Sequence, residues 1–234
     1  MCTIGAATTK NGAFLFKNMD PRRGFPFKGG IEYFQKNNTN IIVVKDENGC
    51  YGGINEKGVA VVGTFVNIQE FQNNYFANEN LLDILAIGEF PAVLNHLKNN
   101  RDNLFGNLLL ADKLNIEAIE LAGNLIYSKT VKRYVMTNHF QELSLQLRTI
   151  KDDFIKEWTT SRLRRAQILI ENVRSIDNAK EFLSDHVGAP DFSICNHGLI
   201  ATAASYIFDC NNKCVLFCNG NSCSNCFTKY SFEN

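Results

Sequence analysis

The chain has no net charge, its 24 lysines and arginines being balanced by 24 aspartates and glutamates over 234 residues. Without a field of one sign nothing concentrates nucleic acid or an anionic membrane at its surface, so neither is an expected partner. It also lacks an apolar run of 18 residues, and no basic segment followed by an apolar stretch opens it. Neither a membrane-spanning helix nor a secretory leader is therefore expected, and the reading is cytoplasmic. In that compartment the eight cysteines are expected to be reduced rather than disulfide-bonded. Repeats and low-complexity linkers are missing too, and 45% apolar content is enough for a substantial core. One domain over residues 1–234 is the simplest organisation.

What the chain does have is a cysteine directly behind Met1. Methionine aminopeptidases remove an initiator methionine when the next side chain is small, so the mature chain is expected to begin at Cys2. That residue would carry both a thiol and a free α-amine. The amine titrates at about 7.7–8 and the thiol at about 8.5, so the amine can take the thiol proton at little cost. A small buried hydrophobe is the plainer reading of a cysteine in apolar company.

Residues 2–9 and 13–17 are β-prone and flank Lys10-Asn11-Gly12, where Asn-Gly signals a two-residue hairpin. Cys2 is thus expected to start the edge of a sheet, with Asp20 brought back beside it; a surface-turn aspartate before Pro21 is the alternative. Strands are expected at 31–34, 41–44 and 59–66, with a glycine-rich turn over 52–58. The last of these runs is apolar nearly throughout, which suits a strand covered on both faces. Two short helices follow between residues 81 and 97, broken at Gly88 and Pro91. An antiparallel meander is expected over 107–138. The spacing of Leu163, Ala166, Ile170 and Val173 predicts a helix over 159–174, capped by Thr159, Thr160 or Ser161, with Arg162 in its first turn. A further helix over 178–186 and strands at 193–196, 202–208, 215–217 and 227–232 complete a layered α+β pattern.

Five motifs in order, Met1-Cys2-Thr3, Lys17-Asn18-Met19-Asp20, Gly53 to Ala60, Thr137-Asn138-His139-Phe140 and Ser161-Arg162, resemble the N-terminal-nucleophile (Ntn) amidohydrolases. Among these the chain is most similar to the acyl-CoA:6-aminopenicillanic acid acyltransferase family, with the choloylglycine hydrolase and penicillin V acylase family a near relation. The resemblance implies an αββα sandwich of two antiparallel sheets between helical layers. It implies Cys2 as nucleophile, Asp20 as the carboxylate orienting amine and thiol, Asn138 as an oxyanion-hole amide, and Arg162 as electrostatic support. Losing one such oxyanion donor typically costs about 2.7–4 kcal/mol. Lys17, Asn18, Phe65 and Asn67 are the expected substrate-binding residues. The aromatic segments 25–34 and 65–76 are the expected walls for an apolar acyl group. Two departures stand out. Lys17 occupies the position of an arginine in choloylglycine hydrolases, and Gly63-Thr64-Phe65 replaces a segment bearing a second oxyanion asparagine, with Asn67 two residues on. A bile-acid amide is therefore not the expected substrate. Outside the resemblance, Asn138 reads as a strand-closing asparagine and Arg162 as one more solvated arginine.

Cys210, Cys214, Cys218, Cys223 and Cys226 crowd the last part of the chain. Structural zinc and a redox pair are both open for them, with packed reduced thiols favoured because only one C-x2-C is present. His139 and His197 fit the family pattern at or near strand ends, neither has a partner at ligand spacing, and no metal is expected in the site.

The expected function is that of a cysteine amidohydrolase or acyltransferase acting on a linear non-peptide C–N amide through an acyl-enzyme on Cys2, without a cofactor. The expected partner is a small-molecule amide, and a homo-oligomer stays open. An Ntn-type dipeptidase, and an inactive zinc-stabilised binding module of the same fold, are the alternatives.

Overall fold

A two-residue turn, Lys10-Asn11 rather than the expected Asn11-Gly12, closes a hairpin of β1 (Cys2–Thr9) and β2 (Gly12–Met19), whose register pairs Thr9 with Gly12 and sets Cys2 opposite Met19. In this computed structural model residues 2–21, 27–66, 79–99, 105–143, 150 and 152–232 are described. Past the hairpin come β3 (Gly30–Lys36), β4 (Thr39–Asp46), β5 (Gly49–Asn55) and β6 (Ala60–Thr64), then α1 (Glu79–Ala86) and α2 (Phe90–Asn99). Next are β7 (Phe105–Ala111), β8 (Ile116–Ala122), β9 (Leu125–Thr130) and β10 (Arg133–Met136). The chain ends with α3 (Asp153–Ile170), α4 (Ile176–Leu183), β11 (Ala204–Asp209), β12 (Cys214–Asn219) and β13 (Thr228–Ser231).

Strands β3 to β9 form a seven-stranded meander in chain order. The other six form a second sheet in the order β10-β1-β2-β11-β12-β13, and the strand pairs of both sheets are antiparallel. Because side chains alternate across a strand, each sheet has two apolar faces to bury, and three apolar layers result. Ile4, Leu15, Val62, Leu109 and Tyr206 meet between the sheets. Val43, Val61 and Leu108 face α1 and α2. Phe16 and Ile207 face Ala166 of α3 and Phe182 of α4. The architecture is the expected four-layer α+β αββα sandwich.

Several local expectations differ from what is built. β1 is not an edge strand, because β10 pairs with it from Ile4↔Met136 to Ala7↔Arg133. The glycine-rich stretch 52–55 is strand rather than turn. A Cβ on Gly52 would lie 2.9 Å from the Phe208 ring, and one on Gly53 would lie 2.6 Å from Leu85 Cδ1. Those glycines therefore let β5 pass between two packed layers. The turn itself is Glu56 to Gly58, held by Asn55 Oδ1 accepting from the backbone N–H of Lys57 and Val59. Helix α3 begins six residues earlier than its apolar spacing indicates, because Asp152 caps it by accepting from Phe154 N and Ile155 N at 2.9 and 3.1 Å. Arg162 consequently lies mid-helix, and Thr159 is interior. Residues 193–195 form a bend and Asn196 is irregular, so no strand is built there.

Candidate active site

Cys2 sits at the start of β1 with its side chain in the layer between the sheets and is 6% exposed. Its backbone nitrogen donates to Asn138 Oδ1 at 2.9 Å. Asn138 follows β10, the strand that pairs with β1, so the register that buries Met136 beside Ile4 also delivers Asn138 to Cys2. Its backbone N–H is anchored on Thr159 Oγ1 at 2.9 Å.

Arg162 reaches the same place from α3. It is fully buried and its donors are distributed: Nε to Trp158 O (3.2 Å), Nη1 to Thr3 Oγ1 (2.9 Å) and Asp20 Oδ2 (3.2 Å), Nη2 to Asn138 Oδ1 (3.0 Å). The guanidinium carbon lies 3.3 Å from the Trp158 ring centre, a stacked arrangement that lysine could not reproduce. Burial pulls its pKa down to about 10, opposed by the charges of Asp20 and Cys2, so it stays cationic at neutral pH. Asp20, just past β2, is also fully buried and accepts from Thr202 Oγ1 at 2.7 Å and Asn196 Nδ2 at 3.3 Å. Burial pushes its carboxyl up, while Arg162 and these hydrogen bonds oppose that shift. All the contacts named favour the carboxylate, which is the form this arrangement is built to hold.

Lys17 lies on the Cys2 face of β2, 2% exposed. Its ammonium donates to Gly63 O at 2.8 Å and Tyr51 O at 3.2 Å, and stands 5.6 and 5.8 Å from the Tyr51 and Tyr206 ring centres. Burial lowers its pKa, and the charge and hydrogen bond of the adjacent Cys2 thiol oppose this. Lys17 is thus the cation beside the thiol, while Arg162 and Asp20 join the same cluster through Thr3 and Asn138.

The structure thus brings Cys2, Lys17, Asp20, Asn138 and Arg162 together. Asn18 is turned away from them. It shares the opposite face of β2, with both Nδ2 protons given to Leu183 O (2.8 Å) and Ile194 O (2.9 Å) and with Oδ1 accepting from Ser205 Oγ (2.6 Å). These bonds tie β2 to α4 and to the 193–200 segment, which makes Asn18 a structural tie. Phe65 packs against Trp158 and Ile200 and presents its carbonyl to Asn138. Residues 67–76, Asn67 among them, and residues 25–26 lie outside the described residues; of the rest of the segments expected to line the acyl site, Phe27 packs against the layer that holds Cys2, whereas Tyr33 on β3 is exposed.

The Asn138 amide is already occupied. Nδ2 donates to Thr64 Oγ1 at 2.6 Å and Phe65 O at 2.8 Å, while Oδ1 takes Cys2 N and Arg162. In this state it orients the Cys2 nitrogen, and its N–H reaches an oxyanion only if Thr64 or Phe65 gives way to substrate. Sequence reasoning missed Thr3, Trp158, Thr159, Asn196 and Thr202. Thr3 could have been found as the neighbour of Cys2 that points to the opposite face; Asn196 and Thr202 carry no local signal.

His139 is 5% exposed, its Nδ1 lying 2.9 Å from Thr159 Oγ1 and 3.2 Å from Thr137 Oγ1. Burial, and then the Arg162 charge, lowers its pKa from 6.5 to about 4. A group with a depressed folded pKa that is neutral when deprotonated binds more protons unfolded than folded between those values. Its contribution is therefore complete above about pH 6.5 and is lost as pH falls toward 4. Chemical denaturation should show this as about 2 kcal/mol of stability lost between neutrality and about pH 5. His139→Gln should remove that component of the slope. An unchanged slope in the variant would refute the assignment.

A family model described as acyl-coenzyme A:6-aminopenicillanic acid acyl-transferase matches residues 7–223. No curated protein sequence matches the chain. Among solved structures, penicillin V acylase from Agrobacterium tumefaciens is similar with a TM-score of 0.61 at 12% identity, over 94% of this chain and 83% of that one. The C2A mutant of conjugated bile acid hydrolase from Clostridium perfringens gives 0.61 at 12% identity, over 100% and 97%. The Caenorhabditis elegans N-acylethanolamine-hydrolyzing acid amidase ortholog gives 0.64 at 12% identity, over 88% and 92%. At such identities the likeness is one of fold. Among the described residues no helix is long and apolar enough to cross a membrane.

Proposed function

The chain belongs to the acyl-coenzyme A:6-aminopenicillanic acid acyl-transferase family, and on that premise we propose that it is a cysteine amidohydrolase or acyltransferase cleaving a linear, non-peptide C–N amide bond. The observation that carries this is the Cys2 nitrogen held by Asn138 Oδ1 while the thiol of the same residue lies beside Lys17.

Removal of Met1 turns that nitrogen into an α-amine with a lone pair. The amine takes the thiol proton, and the thiolate attacks the amide carbonyl. Collapse of the tetrahedral intermediate breaks the C–N bond, and the proton held by the amine passes to the leaving nitrogen. This leaves a thioester on Cys2. Water, deprotonated by the same amine, completes hydrolysis, and an incoming amine completes transfer. Asn138 positions the amine, and Asp20 balances the Arg162 charge. Lys17 acts on the thiol, and the Phe65 segment borders the acyl group. The activities in the names of the structural relatives, on penicillin V, conjugated bile acids and N-acylethanolamines, fit a linear acyl amide as the substrate class. A single domain over residues 1–234 in the cytoplasm, where thiols stay reduced, completes this reading.

Intact-protein mass spectrometry tests it. The expected product is a chain lacking Met1 that, quenched by acid during turnover of an N-acyl amino acid, penicillin V or a carcinine-like amide, carries the acyl mass on its Cys2 peptide. Retention of Met1, or turnover with no acyl mass on Cys2 under any quench, would sink the proposal.

A further inference from the structure

Two connections far apart in the chain, α4–β11 and β12–β13, meet beyond the end of α4. His186 lies just after that helix, Cys195 and His197 lie in the segment leading to β11, and Cys223 lies in the β12–β13 connection. One ligand atom from each falls within 4.8 Å of the other three. The separations are 3.0 Å for His186 Nε2 to His197 Nε2, 3.6 Å for Cys195 Sγ to Cys223 Sγ, 3.7 Å for Cys195 Sγ to His197 Nε2 and 3.4 Å for Cys223 Sγ to His197 Nε2. A tetrahedral zinc with Zn–S of about 2.3 Å and Zn–N of about 2.0–2.1 Å sets its ligand atoms about 3.8 Å (S to S), about 3.5 Å (S to N) and about 3.3 Å (N to N) apart. The four measured edges follow that pattern.

Hydrogen bonding alone does not account for the convergence. His197 Nε2 faces three groups at once. A neutral imidazole nitrogen has one lone pair or one N–H and satisfies one of them. A cation at the centre satisfies all four ligands together. The loops are also held in this arrangement independently of the four side chains: Cys195 N donates to Asp185 O at 2.9 Å, Asn221 Nδ2 to Asn196 O at 2.9 Å and Ser222 Oγ to Leu183 O at 2.8 Å. The Arg165–Asp185 ion pair fixes the residue before His186 to α3.

We propose that His186, Cys195, His197 and Cys223 form a structural Cys2His2 zinc site. Both thiols bind as thiolates, releasing their protons to solvent, and both imidazoles bind neutral through Nε2, so the zinc and its ligands carry no net charge. Four protein ligands close the coordination shell, which makes the site a cross-link rather than a second catalytic centre. Its consequence reaches the active site. Asn196, between two of the ligands, donates to Asp20, and Ile194 on the same segment accepts from Asn18. Zinc therefore fixes the loop that positions Asp20. The ligand set differs from the tail-cysteine cluster expected from spacing. Only Cys223 of that cluster takes part; Cys210 and Cys214 are buried on the β11–β12 hairpin, and Cys218 directs its thiol at Gly220 O and Asn225 O.

The test is elemental analysis of the full chain, expressed with zinc, purified without chelator and desalted. About one zinc per chain is expected, falling to background in Cys223→Ser and His186→Gln and unchanged in Cys226→Ser. Cobalt titration of the intact wild-type protein is expected to give tetrahedral ligand-field bands with a thiolate-to-cobalt charge-transfer band, a readout that needs neither a variant nor activity. The proposal is overturned by background zinc in the wild type, by zinc retained in both ligand variants, by octahedral cobalt spectra, or by peptide mapping of reduced-lysate protein that finds Cys195 and Cys223 joined as a disulfide.

Discussion

Cys2→Ala is expected to lower kcat by at least about 10⁴-fold while the protein still folds and still loses Met1. The size of the effect follows from what the substitution removes. Alanine keeps the α-amine, the contact to Asn138 and the charges of Lys17, Asp20 and Arg162, but leaves no atom able to form the acyl-enzyme. Residual rate then comes only from binding and electrostatics. Cys2 is a small buried side chain at a strand start, and trimming one sulfur creates a void that costs on the order of 1 kcal/mol, so circular dichroism and melting should change little. Cys2→Ser separates nucleophile from base. The same amine faces a hydroxyl far harder to deprotonate, and activity between the two extremes is expected. A Cys2→Ala enzyme within tenfold of wild type would rule out covalent catalysis at this residue.

The largest effect on stability is expected from Arg162→Met. Both Arg162 and Asp20 are fully buried, and their contact at 3.2 Å is supported on one side by Thr3, Trp158 and Asn138 and on the other by Thr202 and Asn196. Methionine fills a comparable volume but strands the Asp20 carboxylate without its cation, a change that typically costs about 3–5 kcal/mol. For a chain of this length that corresponds to a melting temperature lower by on the order of 10 °C. Adding Asp20→Asn should return part of the loss, because the double variant no longer buries an unpaired charge, and the cycle should show strong coupling. Arg162→Lys keeps the charge but not the fork that serves Thr3, Asp20 and Asn138 together, so an intermediate loss is expected. Melting within 2 °C of wild type for Arg162→Met would show that the pair is not what holds this end of the sheet.

Both predictions concern residues that motif order picked out; a third such residue, Asn138, makes contacts that its motif does not specify. Asn138 was assigned from its motif as an oxyanion donor. In the fold its Nδ2 is spent on Thr64 and Phe65, and its Oδ1 holds the Cys2 nitrogen. A motif identifies a side chain, whereas hydrogen-bond direction depends on partners 73 and 136 residues away in the chain. Asn18 shows the same limit more strongly. It adjoins Lys17 in sequence, but strand alternation turns it to the helical layer, where it ties β2 to α4.

Local chemistry was enough wherever a neighbour within a few residues decides the outcome. The hairpin between residues 9 and 12, the doubly buried apolar strand after Gly58, the two helices around Gly88 and the position of a cysteine able to carry its own base all follow from turn propensity, alternation and the smallness of the second side chain. Contacts distant in sequence decided the rest. β1 became an interior strand only because β10 returns to pair with it. Gly52 and Gly53 belong to a strand because Phe208 and Leu85 leave no room for a Cβ. The four would-be zinc ligands carry no local signal until the α4–β11 and β12–β13 connections bring their nitrogen and sulfur atoms within 4.8 Å. The energy of pairing, packing and coordination depends on separation in space, and for these groups only the closed sandwich determines it.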